Sequence, residues 1–129
     1  MTQPTSVAPE TVQYLICVSD FVVMRDLAEA ISGVTPSAQI AVSRHLSELF
    51  AELPKLAWPG LVFIEGNPQG RAETELVSAV LALNGRVIFV SDRAGFSVEG
   101  PGNPVLFLPF RSEDVRRLHE WVIGHPNGV

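Results

Sequence analysis

Short apolar runs alternate along this chain with longer segments in which apolar residues recur every three or four positions. The runs predict five strands over residues 12–18, 39–42, 60–65, 87–90 and 105–108. Runs with so few polar positions are typical of parallel strands that are buried on both faces. The third run is apolar throughout and ends at a single carboxylate, Glu65.

The segments between the runs predict four helices, which begin near Asp20, Ser43, Arg71 and Ser112. Gly33, Pro54, the Asn84-Gly85 pair and Gly124 mark their ends. Helical spacing predicts four packing faces: Met24, Leu27, Ala28 and Ile31; Leu46, Leu49, Phe50 and Leu53; Leu76, Val77, Val80 and Leu81; Val115, Leu118, Trp121 and Val122.

Residues 94–104 interrupt the alternation, because five of them are glycine or proline. This composition predicts a loop in place of a further helix. Strands that alternate with helices predict an α/β fold with a parallel sheet covered on both faces. We expect one domain over residues 11–129, preceded by a disordered lead-in over residues 1–10.

The net charge limits the possible partners, and the cysteine content indicates the cellular compartment. The 129 residues carry a formal net charge of -5, and the nine basic residues are scattered, so neither a nucleic acid nor an anionic membrane is expected as a partner. Cys17 is the single cysteine, which excludes an intrachain disulfide and fits a reducing compartment. We find no signal peptide and no membrane span in the sequence, and we expect a cytoplasmic protein.

Polar residues follow three of the predicted strands, where each strand ends. They are Ser19 and Asp20, Glu65 and Asn67, and Ser91 and Asp92. The carboxyl ends of parallel strands share one edge of a sheet, so these side chains are expected to converge on one crevice.

Several of these segments together resemble the receiver domain of bacterial response regulators, close to the chemotaxis type with the CheY-like fold. The resemblance covers nearly the whole chain after the first ten residues. It implies the strand order 2-1-3-4-5, a role in two-component signal transduction, and a histidine kinase or another signalling protein as partner. The matching segments are Cys17-Val18-Ser19-Asp20-Phe21, Met24-Arg25, the strand ending at Glu65, Val90-Ser91 and Leu108-Pro109-Phe110.

The chain departs from that family at the positions that carry its chemistry. The family has two acids after strand one that help bind magnesium, a phosphorylated Asp after strand three, a hydroxyl after strand four and a Lys after strand five. Asp20 matches the second acid and Ser91 the hydroxyl, but Ser19, Glu65 and Leu108 replace the first acid, the Asp and the Lys. At most two carboxylates, those of Asp20 and Glu65, remain to bind magnesium, so binding would be weak. Without the Lys, no ammonium group is available to pair with an acyl phosphate.

We therefore interpret the chain as a degenerate pseudo-receiver that acts through protein–protein interaction, with no catalytic residue and no cofactor. The alternative is a phosphoacceptor that uses Glu65 or Ser91 in an altered site. A nucleotide or flavin module is disfavoured because no phosphate-binding loop is visible.

Glu65 itself admits two interpretations. In the first, its long carboxylate resembles a phosphorylated Asp and fixes the domain in something like the signalling state. In the second, it is a solvated side chain at a decayed site, without fixed donors. The possible replacement partners are Arg25, Arg71 and Arg93. Cys17 is expected to be a buried strand residue, and His45, His119 and His125 are expected on the surface.

The family signals through the side of the domain that holds strand five and the last helix. Strand five is apolar and would lie at the sheet edge, where exposed apolar strands promote association. We expect this side to form a homodimer or to bind another signalling protein. The predicted contact residues are Val105, Phe107, Phe110, Leu118 and Trp121.

Overall fold

The computed structural model describes residues 11–65, 70–91, 105–107 and 110–124. These residues form five strands: β1 Val12–Cys17, β2 Ile40–Ser43, β3 Leu56–Glu65, β4 Arg86–Ser91 and β5 Val105–Phe107. They also form four α-helices, α1 Phe21–Val34, α2 Leu46–Glu52, α3 Arg71–Ala82 and α4 Ser112–Gly124, and a single 3-10 turn over Leu53–Lys55.

All strand pairs are parallel, and the sheet order is β2-β1-β3-β4-β5. The predicted α/β class and strand order are therefore confirmed. Helices lie between successive strands from β1 to β4, as parallel pairing requires, because the chain must return to the same end of the sheet.

Side chains point alternately to the two faces of the sheet along each strand, which divides the core into two clusters. Tyr14 and Ile16 of β1 face a cluster completed by α1 and α4, whereas Leu15 and Cys17 face a cluster completed by α2 and α3. The central strands are buried on both faces, which is why their sequences read as continuous apolar runs.

Two helix boundaries differ from the sequence prediction. Gly33 does not end α1, which continues to Val34 and is capped by Thr35 in an extended conformation. The residue before a proline avoids the helical region, so Pro36 sets this end more strongly than Gly33 does. Ser43 does not begin α2 but is the buried last residue of β2, and α2 begins at Leu46.

Strand β3 is longer than predicted, because it begins at Leu56 rather than Gly60. A proline within an apolar run argues against a central strand, so the presence of Pro59 led to a predicted strand that begins only after it. The additional residues pair Leu56 with Val12, with a register shift before Tyr14, and the Trp58–Pro59 bond is cis.

Two residues that were assigned to packing faces lie largely at the surface. Leu81 of α3 is 45% exposed and Trp121 of α4 is 40% exposed. In each helix the buried stripe is narrower than the apolar pattern, with Leu76 and Val80 buried in α3 and Val115 and Val122 buried in α4. Apolar periodicity overestimates the buried face where a helix covers only part of a sheet.

Some predictions fall on segments outside the described residues: the lead-in 1–10, the loop 94–104, and Leu108 with Pro109. The described part of β5 lies at the predicted sheet edge, with Leu106 buried against the α1 and α4 cluster and Val105 half-buried on the other side. Among the described residues, no helix has the length and apolar character needed to cross a bilayer.

We expect Gly85→Ala to destabilise the domain by roughly 1–3 kcal/mol, because there is no room for a methyl group. An added Cβ would lie 2.6 Å from the Gly60 carbonyl oxygen and 2.9 Å from Cγ1 of Val80. The matched control is Gly33→Ala, where nothing lies within 4 Å and which should stabilise α1 by about 0.5–1 kcal/mol. Urea denaturation of both variants tests this, and a neutral Gly85→Ala would contradict the packing described.

Candidate functional site at the carboxyl edge of the sheet

The polar residues after β1 and β3 come together because these strands are neighbours. Cys17 pairs in register with Ile64, so Ser19 and Glu65 leave adjacent strands at the same edge of the sheet. Both side chains are exposed. The sequence prediction that strand ends converge is confirmed for this pair.

Ser19 supplies two hydrogen bonds to the Glu65 carboxylate. Its hydroxyl donates to Oε1 at 2.6 Å, and its backbone N–H donates to the same oxygen at 3.2 Å. The expectation that Glu65 has no fixed donors is therefore wrong. The sequence held a signal for this contact, since the predicted order places strands one and three side by side and a hydroxyl can donate to a carboxylate.

The Asp20 carboxylate caps α1. Its Oδ1 accepts the backbone N–H groups of Val22 at 2.9 Å and Val23 at 3.2 Å, which satisfies two amides that the helix leaves unpaired. The negative charge also lies at the positive end of the helix dipole. The predicted capping role is confirmed, and one Asp20 oxygen is committed to the helix.

The arginines proposed as partners of Glu65 pair elsewhere where they are described. Arg25 lies 3.8 Å from Asp26, and Arg71 lies 3.8 Å from Glu75, in both cases with exposed side chains. Exposed pairs of this kind contribute little to stability. Arg93 lies outside the described residues.

The remaining predicted site residues are placed only in part. Ser91 is the last residue of β4, next to Val90, which pairs in register with Glu65. Ser91 is partly exposed at the same edge of the sheet. Asn67, Asp92, Leu108 and Pro109 lie in segments that the structure leaves undescribed.

Magnesium fits the described donor set poorly. Hard divalent cations favour several carboxylate or carbonyl oxygens, and here a neutral hydroxyl stands beside Glu65 while Asp20 binds helix amides. No group of three or more His, Cys, Asp or Glu residues in the described segments could hold a metal ion.

Cys17 is the buried last residue of β1, as predicted. Burial raises the pKa of its thiol, and the nearby Glu48 and Glu65 carboxylates raise it further. The thiol therefore stays protonated at neutral pH, and a thiolate nucleophile is disfavoured.

A second polar group, away from this edge, was missed in the sequence. The Tyr14 hydroxyl lies 2.8 Å from Nε2 of His119 and 3.1 Å from Oγ1 of Thr35. His119 is partly exposed and the sequence did not predict its contact with Tyr14, while His45 is exposed as predicted and His125 is not described. A tyrosine inside a buried strand was the available signal, because a buried phenol needs a hydrogen-bond partner.

Five parallel strands in the order β2-β1-β3-β4-β5, with polar residues at the carboxyl edge, define the fold of response regulator receiver domains. The chain is similar to the signal receiver domain of an HD domain-containing protein from Pseudomonas fluorescens Pf-5, with a TM-score of 0.68, 14% identity and coverage of 96% of this chain and 95% of that one. It is also similar to a CheY-like response regulator receiver domain protein from Methanospirillum hungatei JF-1, with a TM-score of 0.63, 13% identity and coverage of 90% and 97%.

A third similar structure is the REC domain of the PhyR response regulator from Erythrobacter litoralis, with a TM-score of 0.65, 17% identity and coverage of 89% of this chain and 92% of that one. No protein-family model matches the chain, and no curated protein matches it by sequence. The resemblance drawn from the sequence is confirmed at the level of the fold.

Capping and charge at Asp20 can be separated by two substitutions. We expect Asp20→Ala to lower the free energy of unfolding by about 1 kcal/mol, because α1 loses the acceptor for two amides. Asp20→Asn should retain most of the stability, since Asn caps helices as well as Asp does. Equal losses in both variants, measured by chemical denaturation, would indicate that the charge rather than the cap matters.

Proposed function

We propose that this chain is a pseudo-receiver, a signalling module of the two-component type that acts by binding a protein partner without phosphorylation of an Asp. The receiver fold supports the signalling role, and three of the solved structures that share it are named as receiver domains. We assign the module no catalytic function.

The contact between Ser19 and Glu65 is the observation that carries this proposal. In the family that the sequence resembles, an acid stands at the position of Ser19, and two neighbouring carboxylates need a cation between them. Here the Ser19 hydroxyl donates to the carboxylate, so the charge of Glu65 is satisfied without a metal ion. This favours a site that keeps one conformation whether or not magnesium is present.

The same contact makes Glu65 a poor phosphoryl acceptor. Its Oε1 already accepts two hydrogen bonds from Ser19, and the side chain is one methylene longer than Asp. Leu108 stands where the family has a Lys, so the sequence supplies no cation there for a developing phosphoryl charge.

Incubation with acetyl phosphate and magnesium is expected to leave the intact mass of the protein unchanged. A receiver domain with the usual Asp, treated in parallel, serves as the positive control. A stable increase of one phosphoryl group would overturn the proposal and favour the alternative acceptors. Glu65→Gln and Ser91→Ala would then show which of the two side chains carries the group.

We place the contact surface on the side formed by β5 and α4. Of the five residues predicted to lie there, Phe110 and Leu118 pack against the core and Val105 is half-buried, while the side chain of Phe107 is not described. Trp121 is 40% exposed on α4 and is the best remaining candidate for an anchor. Tryptophan is common among the residues that dominate binding energies at interfaces.

If this surface forms a homodimer, Trp121→Ala should shift the protein toward monomer in sedimentation equilibrium and raise the dissociation constant at least tenfold. Trp58→Ala is the matched control, because Trp58 is also exposed, at 62%, but lies on β3 before its buried segment. A monomeric wild type at tens of micromolar, or an equal effect of both variants, would argue against the homodimer. A histidine kinase or another signalling protein would then be the partner to test on the same surface.

A further inference from the structure

Three side chains form a polar bridge between β1, α1 and α4, which we call the Tyr14 bridge. The Tyr14 hydroxyl lies between Nε2 of His119 on α4, at 2.8 Å, and Oγ1 of Thr35 at the end of α1, at 3.1 Å. The Tyr14 and His119 rings are stacked, with centroids 6.0 Å apart and an interplanar angle of 29°. Tyr14 is 1% exposed, whereas His119 and Thr35 are partly exposed, so this bridge lies at the edge of the core.

Apolar side chains from three elements pack around the bridge. Ile31 and Val34 of α1, Leu61 and Phe63 of β3, and Val115 of α4 line the same space. The ionisable group that faces His119 from the sheet is the Tyr14 phenol, whose pKa is raised by burial, so that it stays neutral. From α1 the polar neighbour is the uncharged Thr35 hydroxyl, and on α4 itself the Glu120 carboxylate acts on His119 from the next position.

A proton on His119 changes this bridge in two ways. The neutral ring can accept a hydrogen bond from the Tyr14 hydroxyl at Nε2, whereas an imidazolium can only donate, so its Nε2–H would point to the Tyr14 oxygen and the hydroxyl would turn toward Thr35. The positive charge would also lie against apolar side chains on the packed side of the ring, so it would lose part of its hydration. Glu120 offsets this only in part, because burial is the larger effect and lowers the pKa of His119.

We propose that His119 makes the packing of α4 on the sheet sensitive to acid. In its neutral form it joins α4 to β1 through Tyr14, and its protonation weakens that attachment. The helix concerned is the one that carries Trp121, so acid would loosen the α4 side of the domain before the α3 side. This acid sensitivity follows from the geometry of the Tyr14 bridge and is independent of the proposed signalling role.

The direction of the effect follows from linkage. The unfolded chain binds the His119 proton near the ordinary pKa of 6.5, whereas the folded chain binds it only at lower pH. The stabilising contribution is complete above pH 6.5, is lost as the pH falls toward the folded pKa, and then levels off. For each unit by which the folded pKa lies below the unfolded one, acidification raises the unfolding equilibrium constant by up to tenfold.

The decisive comparison is between His119→Gln and His45→Gln across pH 7.5 to 5. Gln stays neutral and its amide can still hydrogen-bond to Tyr14, so the His119→Gln profile should be flatter than that of the wild type. His45 is exposed and makes no side-chain capping bond, so His45→Gln should retain the wild-type slope. Subtracting one stability profile from the other cancels the contribution of carboxylates that titrate in the same pH range. Parallel profiles for wild type and His119→Gln would overturn the proposal.

Two further measurements locate the effect. After correction for the intrinsic exchange rate at each pH, the protection of α4 amides should fall at pH 5 relative to that of α3 amides in the wild type. This difference should disappear in His119→Gln. Tyr14→Phe should raise the unfolding equilibrium constant roughly fivefold at neutral pH through loss of the hydrogen bonds. It should keep an acid-dependent slope, since the ring of His119 remains packed. Acceleration spread equally over α3 and α4 would contradict a local attachment.

Discussion

Burial of the β1 and β3 pair on both faces is the constraint on which the rest of this structure depends. Side chains alternate between two core clusters along each strand, so the sheet needs helices on both sides to exclude water. Parallel pairing then sends every strand toward the same edge. The residues that end the apolar runs, Ser19 and Glu65 among them, are brought together by this topology rather than by any affinity between distant segments.

The chemistry at that edge follows from a single exchange of residue type. With an acid in place of Ser19, the pair would repel unless a cation lay between the two carboxylates. A hydroxyl reverses the interaction, because it donates a hydrogen bond to Glu65 where a second carboxylate would repel it. Asp20 is held by α1 through its amides, so it does not restore the acid pair. In the part of the site that the structure describes, Ser19, Asp20 and Glu65 therefore form one consistent arrangement of hydrogen bonds.

Apolar runs and turn residues predicted the fold class and the position of Glu65, since both depend on local features, and the family resemblance implied the strand order. Sequence prediction failed where tertiary context decides. Pro59 concealed the first part of β3, and Gly33 suggested a helix end that Pro36 determines. The donors to Glu65 and the partner of His119 come from distant segments, at separations of 46 and 105 residues, which no local pattern encodes.

The two polar contacts of β1 differ in how strongly they can influence the domain. The bond between Ser19 and Glu65 is exposed, so water competes for both groups and its net contribution to stability is modest. Tyr14 is buried, where an unsatisfied polar group costs more than at the surface, so loss of its hydrogen bonds has the larger effect on stability. Under the proposed function, hydrogen bonds hold the site at one end of β1 without phosphate. The acid-sensitive attachment of α4 that we propose lies nearer the other end of that strand, at Tyr14.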